Sequence, residues 1–162
     1  MAKNKFKKIN YSYNAQRLGE VLNTDLSFEY AHWHFYTHAA GMVRGLHRAE
    51  YSELFLKHAA GEAQHIAEFQ KLILSLNIIP TTETAYGVLP SNEMYDPIQL
   101  ILHAISMEKE VVNNYLVRLE QAQKLQETDM YNGKYIELFL EDQILDSRGD
   151  VNEFELLIKG QE

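Results

Sequence analysis

Residues 58–73, His-Ala-Ala-Gly-Glu-Ala-Gln-His-Ile-Ala-Glu-Phe-Gln-Lys-Leu-Ile, decide how the chain is read. Apolar and aromatic positions recur around them at helical spacing: Leu54, Phe55, Ala59, Ile66, Phe69, Leu72, Ile73 and Leu76. Glu62 and His65 interrupt that stripe on its own face. Three residues of α-helix turn by about 300°, so the two side chains stand next to each other and point the same way. A carboxylate and an imidazole converging from an apolar face can hold one metal ion. Many ordinary helices contain this pair by chance, so the rest of the chain has to supply further ligands.

Composition narrows the choice. The chain has 162 residues, which suits one domain with a substantial core. Hydrophobic residues make up 46% and there are only 3 prolines, which favours a packed helical protein over a disordered one. A formal net charge of −8 argues against a domain-wide nucleic-acid face and suits attraction of cations. With no cysteine, disulfides, Fe–S clusters and thiolate zinc are excluded, leaving carboxylate and imidazole as the strong ligands. No apolar run approaches the ~18 residues of a membrane span, and the N-terminus lacks a signal-peptide core. A cytoplasmic protein is the expectation.

Four long helices are expected. Residues 1–13, with Lys3, Lys5, Lys7 and Lys8, read as a basic tail, and 14–162 as one helical domain. The first helix runs from about Asn14 to Val43, with Gly41 and Gly45 where it should stop, and the second from about His47 to Asn77. Residues 77–97 hold Pro80, Pro90, Pro97 and Gly87, too long a stretch for a tight turn, and read as a crossover along the bundle. Asp96-Pro97 is a start signal for the third helix, which continues to about Gln126. Residues 127–134, including Gly133, break the chain, and the fourth helix covers about Tyr135 to Ile158. The expected fold is all-α, a four-helix bundle of two antiparallel hairpins joined by the crossover.

Each helix carries one glutamate in the stripe expected to face inward: Glu29, Glu62, Glu108 and Glu141. Glu108 is preferred over Glu110 because its helical neighbours are Ala104, Ile105, Val111, Val112 and Tyr115, whereas Glu110 neighbours His103, Ser106, Asn113 and Asn114. Glu29 to Glu62 is 33 residues and so is Glu108 to Glu141; Tyr36 follows Glu29 by seven, and Tyr115 follows Glu108 by seven. The halves therefore read as copies of one hairpin related by a pseudo-two-fold axis, bringing four glutamates to one level. Four buried carboxylates repel, and each uncompensated buried charge costs several kcal/mol. Two divalent cations cancel them; without metal some must be protonated. Oxygen-rich ligation with an imidazole suits Fe²⁺ or Mn²⁺ better than structural zinc. The repeat is broken at Ile144, where His65 would have its counterpart.

On these residues the chain resembles the ferritin superfamily, bacterioferritin and ferritin in particular, with some features of the mini-ferritin Dps. The resemblance implies a ferritin-like bundle and a ferroxidase centre made of Glu29, Tyr36, Glu62, His65, Glu108 and Glu141. Glu29, Glu62 and His65 would hold one iron; Glu62 and Glu108, with Glu141, would serve a second. Ile144 replaces the second histidine of bacterioferritins, which implies a labile second iron, and Asp142 or Asp146 could assist. Ala63 stands where bacterioferritin has its haem-ligating methionine, so no haem is expected. The implied function is oxidation of Fe²⁺ by O₂ or H₂O₂ and storage of ferric mineral in a homo-oligomeric cage. The 21 residues after Glu141 are too few for a fifth helix, which favours 12 subunits over 24. His32-Trp33, Leu46-His47 and the Tyr51-Ser-Glu-Leu run resemble Dps, although His58 stands where its intersubunit site has an aspartate. Rival readings are a Dps-type protector binding DNA through the basic tail, and a rubrerythrin-like di-metal oxidoreductase.

The remaining candidates carry blander expectations. His32, His34, His38, His47 and His58 crowd around the turn between the first and second helices and read as surface or interface histidines, with metal-entrance or intersubunit sites the alternative. Tyr36 is either a core aromatic bonded to a glutamate or an electron donor. Trp33 reads as packing or interface, and His103 as a residue at the edge of the core. Asp150, Glu153 and Glu155 read as a solvated face, or as a cage lining that nucleates mineral.

Overall fold

The computed structural model describes residues 2–86 and 95–159, with side chains of the first helix described from Asn14 onward. Four helices, α1 (Ala2–Met42), α2 (Arg48–Ser75), α3 (Pro97–Leu125) and α4 (Met130–Ile158), are joined with no strand among the described residues. The side chains of residues 1–13, expected to form a basic tail, lie outside the described residues. α1 packs along α2 and α3 along α4, and α1 also meets α3, so two hairpins close into one bundle.

Local chemistry sets most of the helix ends. The first turn is made at Gly45, whose φ of +115° few other residues adopt, while Gly41 stays inside α1. Asp96 caps α3 by accepting a hydrogen bond from the Gln99 amide at 3.0 Å, with Pro97 in the first turn, as its sequence signal implies. α4 begins at Met130, five residues earlier than expected, because Asp129 caps it from the Asn132 amide at 3.1 Å. Gly133 is therefore a helical residue, not a breaker. A Cβ there would stand 2.8 Å from the Gln126 nitrogen and 2.9 Å from the Ala122 carbonyl oxygen, so only glycine lets α4 approach the end of α3.

The described parts of the crossover, 76–86 and 95–96, lie against α1 and its C-terminal end. The Asn23 side chain donates to the Ile79 carbonyl and accepts from the Thr81 amide. The Ala85 amide donates to the Ser27 carbonyl, Tyr86 packs edge-on against Phe28, and the Arg44 amide donates to the Tyr95 carbonyl. Residues 87–94 lie outside the described residues.

Two apolar clusters fill the bundle. One holds Leu22, Leu26, Phe69, Leu72, Tyr115 and Ile136; the other holds Tyr36, Phe55, Leu100, Ile101, Val151 and Phe154. Between the sequence positions that feed the two clusters lie buried polar residues, Glu29, His32, Glu62, His65 and Glu108. A further polar tie, Arg118 Nε to Asp25 Oδ2 at 2.7 Å, locks α3 to α1. Burial lifts the Asp25 carboxyl to about 7, outweighing the pull of Arg118 in the opposite direction.

The pseudo-symmetry is present, with one shift of register. Moving Leu22, Leu26, Glu29, His32, Tyr36 and Val43 along by the Glu29-to-Glu108 offset lands on Ile101, Ile105, Glu108, Val111, Tyr115 and Ala122, all buried. For the second helices the matching offset is one residue less. It carries the buried residues Phe55, His58, Ala59, Glu62, His65 and Phe69 to Gly133, Ile136, Glu137, Leu140, Gln143 and Ser147, also buried. The counterpart of Glu62 is thus Leu140 and that of His65 is Gln143. The cause lies in the turns: residues 43–47 join the first hairpin, whereas only residues 126–129 join the second.

Candidate metal centre

Glu29 and His32 project from α1, Glu62 and His65 from α2, and Glu108 from α3, each at most 8% exposed. Their donor atoms fall into two overlapping groups, Glu29–Glu62–His65 and His32–Glu62–Glu108, each spanning less than 4.8 Å. Glu62 belongs to both. His65 Nδ1 lies 3.2 Å from Glu62 Oε2 and 3.3 Å from Glu29 Oε2. His32 Nδ1 lies 3.7 Å from Glu62 Oε1 and 3.6 Å from Glu108 Oε1.

The supporting side chains hold these groups in place. Tyr36 donates to Glu108 Oε1 at 2.5 Å, and Tyr115 donates to Glu29 Oε1. Each tyrosine thus reaches across to the glutamate of the opposite hairpin, the relation that a two-fold repeat of Glu and Tyr seven residues apart produces. Asp146 Oδ2 lies 3.3 Å from His65 Nε2. In the metal-free protein Nδ1–H faces Glu29 and Glu62; with Nε2 held by Asp146, loss of the Nδ1 proton would leave that nitrogen's lone pair for a metal ion.

Of the sequence-derived candidates, the structure brings together Glu29, Tyr36, Glu62, His65 and Glu108 and leaves out Glu141. Glu141 is exposed and belongs to neither group. The fourth helix carries two apolar stripes, and the one expected to face inward, through Leu138 and Leu145, is 49% and 70% exposed. The buried stripe is Ile136, Leu140, Gln143, Ser147, Val151 and Phe154, about 100° from Glu141, so the matched 33-residue spacing does not place Glu141 inside. Ile144 is only partly buried and packs on the apolar core.

The second imidazole comes from α1. His32 was expected at the surface or an interface, and is 1% exposed at the centre of the bundle. Its sequence signal is plain in retrospect: Glu29-Tyr-Ala-His32 is a second Glu-x-x-His, with the spacing of Glu62 and His65. His58 is also buried, at 6% exposure. Trp33 is 41% exposed.

The electrostatics describe a site built for cations. Burial, with the Glu62 charge adding to it, pushes the Glu29 carboxyl up to about 8 against the pull of His65 and His32. Burial also raises Glu108, the positive charge of His32 opposing it. Burial opposes ionisation of Glu62 too, but its contacts with His32 and His65 win and hold it below the usual carboxylate range. Burial disfavours a charged His65, yet its contacts with Glu29 and Glu62 lift it to about 12, and Glu108 and Glu62 likewise raise His32. Protons thus compensate the charge in the metal-free protein. Glu29 Oε2, Glu108 Oε2 and His32 Nε2 are nonetheless buried without a hydrogen-bond partner. Polar atoms left bare on a shared carboxylate–imidazole set fit two divalent metal ions.

Comparisons with known proteins lead to the same place. The family described as Ferritin-like domain matches residues 19–147. The chain belongs to the ferritin-like family. The match runs from α1 into α4 and takes in all five clustered ligand candidates. The fold is similar to that of a ferritin-like diiron-carboxylate protein from Bacillus anthracis, at 28% identity and a TM-score of 0.77, covering 90% of this chain and 97% of that one. It is also similar to the dodecameric thioferritin, a bacterioferritin-related protein, of Bacteroides fragilis, at 19% identity and a TM-score of 0.61, covering 90% of each chain. Dps of Vibrio cholerae O1 shares the fold at 16% identity and a TM-score of 0.67, over 91% of this chain and 92% of that one. No curated protein matches the chain. No described helix of this ferritin-like chain is long and apolar enough to cross a membrane.

Proposed function

We propose that this ferritin-like chain is a ferroxidase, oxidising Fe²⁺ at a dinuclear centre held by Glu29, His32, Glu62, His65 and Glu108. The observation that carries the reading is Glu62, one buried carboxylate shared by two carboxylate–imidazole groups. Each Fe²⁺ gives up one electron. With O₂ as oxidant, two electrons and two protons yield H₂O₂; with H₂O₂, two electrons and two protons yield two waters. Three carboxylates leave two divalent ions with one uncompensated positive charge, which favours an anionic ligand beside them. Tyr36 and Tyr115 fix the rotamers of Glu108 and Glu29, and Asp146 fixes the tautomer of His65. Glu141 has no part in this centre.

Storage of the ferric product in a homo-oligomeric shell belongs to the same proposal. Two observations support it. Tyr131, Tyr135, Leu138 and Leu145 form an outward apolar stripe on α4, 49–87% exposed, which a single bundle gains nothing by displaying. One similar structure is described as dodecameric, which favours twelve subunits. A cytoplasmic location is part of this reading.

Anaerobic loading with two Fe²⁺ per chain, followed by O₂ or H₂O₂ and read by ferric absorbance, tests the proposal. Wild type is expected to oxidise the loaded iron in a fast phase that Glu62→Ala lacks. Equal, slow oxidation by both would end the ferroxidase reading.

A further inference from the structure

Outside the dinuclear centre, the described residues contain a third group of convergent ligand donors: His58, Asp150 and Glu153. It lies in a cavity of about 190 Å³ between α2 and α4, whose wall also includes Glu62, His65 and Asp146. One groove therefore joins the third group to two ligand candidates of the buried pair. We propose that His58, Asp150 and Glu153 form a third divalent-cation site at the mouth of this groove, through which the cation passes to Glu62 and His65. This role rests on the dinuclear reading; the site itself does not.

The histidine is what separates this cluster from an ordinary acidic surface. Its side chain is 5% exposed, with the ring against Phe154 at 4.5 Å and stacked on Tyr36 at 5.3 Å between centroids. These rings fix the imidazole plane. Its Nδ1 lies 3.5 Å from Asp150 Oδ2, and Nε2, buried with no hydrogen-bond partner, lies 3.9 Å from Glu153 Oε2. The second separation is too long for a hydrogen bond. Donors about 2.1 Å from one ion stand roughly 3–3.5 Å apart, so a small movement of either acid would let it share an ion with His58. The acids come from positions three residues apart on α4 and are 27% and 42% exposed, which leaves the outer side of the site open to water. Lys57 Nζ lies 3.6 Å from Glu153 and is 70% exposed, so it can swing into solvent when a cation takes its place.

One imidazole with two carboxylates, half open to solvent, suits a labile Fe²⁺, Mn²⁺ or Co²⁺ site. Asp146, 65% exposed and against His65 Nε2, lines the same groove, so a further anionic side chain stands beside the buried pair. A cleft lined with one sign of charge raises the local concentration of the opposite ion.

Anaerobic Co²⁺ titration followed by calorimetry and visible absorption decides this. Wild type is expected to bind three ions per chain. The Asp150→Asn/Glu153→Gln double variant, which leaves the buried histidine and its ring stacking intact, is expected to bind two. Glu62→Ala is expected to bind one, and to lose it when the double variant is added. As many ions on the double variant as on wild type would overturn the site. One ion on wild type and on Glu62→Ala alike, lost in the double variant, would keep the third site and refute the dinuclear pair. In rapid mixing at low Fe²⁺, the double variant should load the centre about tenfold more slowly; unchanged loading would overturn the passage role.

Discussion

Replacing His32 with alanine separates the centre seen here from one that draws its second half from α4. His32 Nδ1 stands 3.6 Å from Glu108 and 3.7 Å from Glu62, with all three side chains almost fully buried. At an effective dielectric of about 20, each contact of an imidazolium with a carboxylate is worth roughly 4–5 kcal/mol before desolvation is subtracted. Removing one partner of such a buried pair costs about 3–5 kcal/mol, because the other charge is left uncompensated. Glu108, already shifted upward by burial, escapes that cost by taking a proton. The metal-free variant should therefore lose less stability at pH 5 than at pH 8, measured by thermal or urea unfolding. Its effect on metal is more specific. Loss of a partner that merely supports a ligand costs about 10–100-fold in affinity, so loss of the imidazole should cost about 100-fold or more in one half of the pair. In anaerobic Co²⁺ calorimetry, His32→Ala should weaken one ion of the pair by that factor and leave the other within a few-fold. His65→Ala should weaken the complementary ion. If His32→Ala leaves every ion at wild-type affinity, the assignment of the second imidazole is wrong.

Two further outcomes follow from the same geometry. Glu141→Ala should leave metal stoichiometry and iron oxidation unchanged, with stability within about 0.5 kcal/mol of wild type; loss of one ion on calorimetry would restore α4 to the centre. Stability of the metal-free protein should fall as pH rises. Glu29, raised from 4.5 to about 8, binds more protons folded than unfolded across that interval, and Asp25, raised from 3.8 to about 7, acts in the same sense. The stabilisation from His65, raised from 6.5 to about 12, is full below 6.5 and is lost as pH climbs toward 12. Glu62, held below its ordinary 4.5, is stabilising above that value and loses its contribution as pH falls below it. Urea unfolding should place the metal-free optimum at about pH 4–4.5, where Glu62 has gained its contribution and Glu29 and Asp25 have only begun to lose theirs, with saturating Mn²⁺ abolishing much of the alkaline decline. A metal-free optimum above pH 8 would contradict this.

Much of the bundle can be read locally. The apolar period of α1, α2 and α3, the Asp96-Pro97 cap and the proline-rich crossover are properties of neighbouring residues. They act before any helix meets another, and so Glu29, Glu62, His65 and Glu108 can be picked out from the chain alone. The register of α4 cannot. Its sequence supports two apolar stripes a fraction of a turn apart, and periodicity cannot say which one meets the core. That choice falls to a turn one residue shorter than its counterpart and to Gly133, where α4 touches the end of α3.

The same division runs through the polar residues. Sequence sets Glu29-Tyr-Ala-His32 and Glu62-Ala-Gln-His65 each on one helical face, because three residues of helix always bring two side chains together. Which further carboxylate each imidazole then faces is a relation between helices. Packing turns His32 toward Glu62 and Glu108, sets Tyr36 and Tyr115 on each other's glutamates, and draws His58 toward Asp150 and Glu153. Covalent order supplied the donors; close packing of four helices supplied their partners, because burial leaves a charged group only the neighbours that the opposite helix provides.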